Sequence, residues 1–142
     1  MDARLSTPFL ALRYGFGLVA TLAGLDKFSN LLADWTAYVS PVALQVLPVS
    51  AATLMSVVGV IEIVVGLSIL AGWTRIGAYV AAGWLVAIAL NLAIAGFLDI
   101  AVRDLVMAIA AFTLARLAEV GAEAPAYGVN GIIEPPAREV HG

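Results

Sequence analysis

The chain has 142 residues, 63% of them hydrophobic and only 12% charged, about half the charge of an ordinary soluble domain, and its mean hydropathy is +1.03. So short and oily a chain cannot cover a globule with polar surface, so it reads as one compact integral membrane unit. The net charge of −3 without any basic run excludes nucleic acid, the lack of cysteine excludes disulfides and thiol or iron–sulfur chemistry, and the lone histidine, His141, excludes a histidine-ligated haem or metal inside the membrane.

A helix crosses the hydrocarbon core in about 20 residues, and four windows supply that length. The first predicted span is residues 8–29. Its apolar run ends in Leu25-Asp26-Lys27 rather than a small-x-small cleavage site, and Arg13 lies well inside it. It therefore reads as a retained span, not a secretory signal. Residues 30–49 are too apolar for a free loop and too broken by Pro41 and Pro48 for a span. Trp35 and Tyr38 suit the lipid headgroup level, so this segment is predicted as short helices lying on, or dipping into, the outer interface. The alternative is an apolar loop packed on the bundle.

The second span covers residues 50–72 and carries Glu62 near its centre. Gly72 ends it, and residues 72–75 make a tight inner turn with Trp73 and Arg75 at the interface. The third span is 76–97 and the fourth 100–118. From 119 to 142 the chain has glycine and proline punctuation and no helical stripe, which predicts a cytoplasmic tail, extended or partly disordered. Arg4, Arg13, Arg75, Arg116 and Arg138 fall on one side of this topology, and Lys27 and Arg103 on the other. That bias places both termini in the cytoplasm. The predicted fold is an all-α, integral membrane four-helix bundle.

Helical spacing sorts the faces. Arg13, Gly17, Ala20, Gly24 and Lys27 share a stripe in span one. Gly59, Glu62 and Gly66 share one in span two, Ala87, Asn91 and Ala95 in span three, and Asp104, Ala108, Ala111 and Ala115 in span four. Small residues mark close helix contact, so these faces point inward. Glu62 near mid-membrane needs a partner, and Arg13, across the first connection, is the first candidate. Arg13, Glu62 and Asn91 form a candidate intramembrane polar site or ligand-headgroup site. A second group, Asp26, Lys27, Asp99, Arg103 and Asp104, gathers at the outer end, where Lys27 matches Asp104 best by face. Trp84 reads as packing on lipid or a neighbouring helix. No metal site is expected.

The stretch GVIEIVVGLSILAGWTR, with Gly59, Glu62, Gly66, Gly72 and Arg75, resembles the signature of the DoxX family of small four-helix membrane proteins. RYGFGLVATLAGLDKF is similar to that family's first helix, with Arg13, Gly24 and Lys27 in place, and DIAVRDLVMAIAAFTLARL to the last helix of a subset. The resemblance covers roughly residues 8–118. It departs at Val65-Gly66, where many relatives carry two consecutive glycines. It implies a multi-pass protein of the cell (inner) membrane, among small subunits tied to redox complexes; one branch is similar to the membrane subunit of thiosulfate:quinone oxidoreductase. Only Arg13, Lys27, Glu62 and Arg75 carry over, as motif positions without assigned roles.

Three functions follow as expectations. The chain is an accessory or anchoring subunit of a membrane redox complex, with lipid and other membrane or redox subunits as partners. Alternatively it is the quinone-binding subunit of a donor:quinone oxidoreductase, using Arg13 and Glu62, with electrons from elsewhere because the chain holds no redox centre of its own. A further alternative is proton or small-solute transport, which would need a homo-oligomer.

Overall fold

The computed structural model describes the backbone of residues 2–130 and the side chains up to residue 123. Among the described residues the chain is all helical: α1 (Ala3–Asp26), a 3-10 turn (Trp35–Tyr38), α2 (Pro41–Val46), α3 (Ala51–Leu70), α4 (Thr74–Ala95) and α5 (Leu98–Asn130). Four of these helices, α1, α3, α4 and α5, are long and apolar enough to cross a membrane.

The helix ends follow local chemistry. Ser40 caps α2 by accepting from the Ala43 N–H, with Pro41 in its first turn, and Ser50 caps α3 by accepting from the Thr53 N–H. Each satisfies a backbone donor the helix itself leaves free. At the other end of α3, Gly72 adopts φ +107° and the Trp73 N–H returns to the Ser68 carbonyl at 3.0 Å. That left-handed step closes the helix and turns the chain at once into α4.

The bundle is built from two tight antiparallel pairs, α1 with α3 and α4 with α5, joined by lighter contacts of α3 with α4 and α1 with α5. In the first pair the two backbones touch. A Cβ on Gly24 would stand 2.6 Å from the Gly59 carbonyl oxygen, and one on Gly66 would stand 2.8 Å from the Gly17 carbonyl oxygen. Close approach through small residues is how helices associate in lipid, where no hydrophobic drive separates them from the acyl chains. The departure at Val65-Gly66 is absorbed here: Gly66 takes the contact with α1, while Val65 is buried against the other pair. That packing joins Val65 and Ile69 of α3 to Ala78 and Ala81 of α4 and to Ala111, Leu114 and Ala115 of α5. Leu18, Leu22, Val57, Val64, Leu90 and Ile109 are exposed around the outside, the apolar coat a lipid-facing surface requires.

One expectation needs correction. The last helix does not stop at 118 with an extended segment after it; it continues to Asn130. Glu119 anchors the added turns by accepting from Tyr79 at 2.9 Å and pairing with Arg75 and Arg116. The rest of the expected tail lies outside the described residues. Trp35 and Tyr38, in the segment between α1 and α3, pack on the bundle. The Trp35 ring lies over the Lys27 ammonium, 3.9 Å from nitrogen to ring centre, and Tyr38 packs edge-on against Phe97.

Candidate functional site

Between the two pairs lies a cavity of about 530 Å³. All four long helices line it: α1 with Ala20, Ala23 and Lys27, α3 with Val58 and Glu62, α4 with Trp84 and Asn91, α5 with Asp104 and Met107. The segment between α1 and α3 covers its mouth with Trp35, Tyr38 and Val39. The wall is mostly apolar, with a few polar groups converging on it, the general form of a small-molecule site.

Glu62 is held by Lys27, not by Arg13. The Lys27 ammonium donates to a Glu62 carboxylate oxygen at 2.6 Å, with side chains only 5% and 13% exposed. Arg13 instead donates to the Ile69 carbonyl at 3.1 Å and the Leu70 carbonyl at 2.7 Å. The reason lies in helix geometry. Gly17 packs on Gly66 and Gly24 on Gly59, so Glu62 stands level with the stretch of α1 near Thr21. Side chains on an α-helix tilt toward its N-terminus. From the C-terminal end of α1, Lys27 therefore leans down the bundle toward Glu62. Arg13 leans away from Glu62, toward the last turn of α3, whose carbonyls have no helical donors. Arg13 thus caps a helix. We expect Arg13→Leu to lower stability by about 1.5–3 kcal/mol, the scale of hydrogen bonds from a charged donor. Thermal unfolding in mild detergent measures it, and Arg13→Lys should restore only part of the loss, because one ammonium does not reproduce the two-pronged guanidinium.

The expected outer-end charge cluster separates into different jobs. Asp26, 7% exposed, is a knot for the connection: its carboxylate accepts from the Leu31 and Leu32 N–H groups at 3.0 Å, from Ser29 Oγ and from Trp35 Nε1 at 2.8 Å. Arg103 and Asp99 form a loose, exposed pair at 4.0 Å. Lys27 goes to Glu62 rather than to Asp104, and Asp104 stands on the cavity wall within electrostatic reach of both.

Asn91 ties the cover down. Its Oδ1 accepts from the Ser40 N–H at 2.9 Å, and its Nδ2 donates to the Tyr38 carbonyl at 2.8 Å. Trp73 is 70% exposed at the turn between α3 and α4. Arg75 pairs with Glu119 at 3.3 Å, far from the cavity. The residue that sequence reasoning undervalued is Trp84. It faces the cavity, and its buried indole N–H has no acceptor among the described residues. Such an orphaned donor is uncommon in a settled interior. Its mid-span position was the available signal. No cluster of metal-ligating side chains occurs among the described residues.

A family model, DoxX, matches residues 9–96, well over half of the chain. The chain belongs to the DoxX family. The matched stretch takes in α1, the cover, α3 and α4, and so contains Lys27, Glu62, Trp84 and Asn91; α5 with Asp104 lies beyond it. No curated protein and no solved structure matches the chain. Four candidate spans in a DoxX protein make this a multi-pass membrane protein.

Proposed function

We propose that this DoxX protein is the quinone-binding membrane subunit of a donor:quinone oxidoreductase, resident in the cell (inner) membrane with both termini in the cytoplasm. The observation that carries the reading is the cavity: about 530 Å³ of mostly apolar wall, inside the roughly 300–1,000 Å³ range of small-molecule sites. The buried Lys27–Glu62 pair lines it, as does Trp84, whose buried indole N–H has no acceptor among the described residues. These residues fit a flat apolar ring that carries carbonyl oxygens. Trp84 Nε1–H and the Lys27 ammonium are the donors for such oxygens, and Glu62 is the group able to hold or pass a proton. A bound quinone supplies two-electron chemistry, taking up two electrons and two protons to become a quinol. The electrons come from a partner protein, since the chain has no cysteine and only one histidine, His141.

Arg13, expected at the headgroup, has no part in this scheme because its guanidinium is committed to α3. Asn91 keeps the cover in place rather than reading the ligand. A bare anchoring role leaves the cavity and its orphaned donor without a purpose. Transport across the bundle finds less support, because apolar packing around Ile69 and Leu114 closes the far side of the cavity.

Titrating a short-tailed quinone into the detergent-purified protein tests the reading, with tryptophan emission as the signal. Saturable quenching is expected, from Trp35 and Trp84 on the cavity wall. Trp84→Phe, followed through Trp35, should weaken binding about five- to tenfold, the scale of one lost hydrogen bond. Absence of saturable quenching would remove the quinone from this scheme. Purification in mild detergent should also bring a companion redox protein with the chain; a lone chain would count against the subunit role.

A further inference from the structure

We propose that the cavity exchanges protons with water at one end of the bundle only, the end covered by residues 27–50, and that Asp104 carries them in. This deepens the quinone reading, naming the proton supply of the same site, and rests on it only for the use made of the protons.

The charged groups on the cavity wall are Lys27, Glu62 and Asp104. The N-terminal ends of α3 and α5 and the C-terminal end of α1 meet at the covered end. At 1.5 Å per residue, Asp104 lies roughly 9 Å below the start of α5, and Glu62 roughly 16 Å below the start of α3. Asp104 thus stands between the covered end and the buried pair. It is half-buried and has no hydrogen-bond or ion-pair partner among the described residues. Asp26, by contrast, is consumed by the loop it organises, and Asp99 is paired with Arg103. A carboxylate on a cavity wall with no structural task is free to take up and give away a proton.

The opposite direction is sealed. Below Glu62 the interior is Val65, Ile69, Ala78, Ala81, Ala111, Leu114 and Ala115, none more than 8% exposed. Val65 and Ala81 are the cavity's floor, and from Val65 to Ile69 is about 6 Å of apolar packing, four residues of rise. The hydroxyls of Ser68 and Thr113 are exposed and bonded back to their own helices, and the interior hydroxyls of Thr21 and Thr74 are likewise spent on the Gly17 and Ile69 carbonyls. The next ionisable groups beyond the seal are committed: Arg13 to the α3 carbonyls, Tyr79 and Arg75 to Glu119. A proton entering from that side has no group to occupy on the way. From the covered end it passes from water to the Asp104 carboxylate, then to the Glu62 carboxylate, leaving Asp104 ionised again. Lys27 faces both acids from α1, and Arg103 is the exposed charged neighbour of Asp104 on α5. The α4 wall offers only the neutral Asn91 and Trp84, and the cover offers Tyr38 and Trp35.

The test needs no quinone. Trp35 reports on the pair, because its ring lies on the Lys27 ammonium, and Trp73→Phe with Trp84→Phe leaves Trp35 as the only tryptophan of the three in the sequence. This variant is placed in vesicles with one orientation selected, and the medium on one side is acidified. Trp35 emission should respond promptly when the covered end faces the acidified side and not when it faces away. Asp104→Asn should slow the response roughly a hundredfold, the scale of removing a positioned proton-transfer group, and Asp104→Glu should restore it. Equal responses from both sides, no response from either, or an unchanged rate in Asp104→Asn would each overturn the proposal. Failure of quinone binding leaves this result standing, and a symmetric response leaves quinone binding standing.

Discussion

Lys27→Met is expected to destabilise the protein by about 3–5 kcal/mol, the cost of stranding one member of a buried ion pair. The Lys27 and Glu62 side chains are almost wholly withdrawn from solvent and 2.6 Å apart. Removing the ammonium leaves a carboxylate on a mostly apolar cavity wall with Val58, Val65 and Met55, and no other cation among the described residues lines that wall. Lys27→Met with Glu62→Met removes both charges and keeps apolar volume, so the double variant should recover most of the loss. Chemical or thermal unfolding in mild detergent, run as a full cycle, gives the coupling. Arg13→Leu combined with Glu62→Leu should show no such recovery, because Arg13 serves the carbonyls of Ile69 and Leu70. A double Lys27/Glu62 variant no better than Lys27→Met alone would refute the pairing.

Gly66→Leu should be the more drastic change, abolishing folded protein rather than weakening it. A Cβ there meets the Thr21 nitrogen at 2.7 Å and the Gly17 carbonyl oxygen at 2.8 Å. These are backbone atoms, which cannot swing aside as a side-chain tip can. The helices would have to move apart along their whole contact, losing the fit at Gly24 and Gly59 as well. Overpacking in an adaptable core costs about 1–3 kcal/mol; here the rigid partner puts the cost above that range. Gly83→Leu is the matched control, since a Cβ at Gly83 meets nothing within 4 Å. The yield of monodisperse protein after extraction separates the two. Equal yields would mean that α1 and α3 do not depend on backbone contact.

The existence of four spans was legible because hydropathy and length dominate in lipid. The inward stripes were legible where small residues recur: Gly17, Gly24, Gly59 and Gly66 do meet, and Ala108, Ala111 and Ala115 are buried. Depth along the helix alone does not identify the partner of Glu62, because side chains tilt toward the helix N-terminus. That tilt separates Lys27, which points down the bundle, from Arg13, which points out of it. Glu119 was read with the tail because its partners Tyr79 and Arg75 sit some 40 residues earlier, on another helix. The roles of Asp26 and Asn91 depend on how an irregular segment folds back, and no periodic pattern encodes that.

The arrangement in consecutive pairs has a consequence for how the buried charge is neutralised. The helices that lock backbone to backbone, α1 and α3, precede α4 and α5 in the chain, and each brings one half of the Lys27–Glu62 pair. A hairpin of α1 and α3 therefore cancels its own deepest charge without help from α4 or α5. The second hairpin, α4 with α5, brings no buried ion pair of its own to that core among the described residues; its docking encloses the cavity.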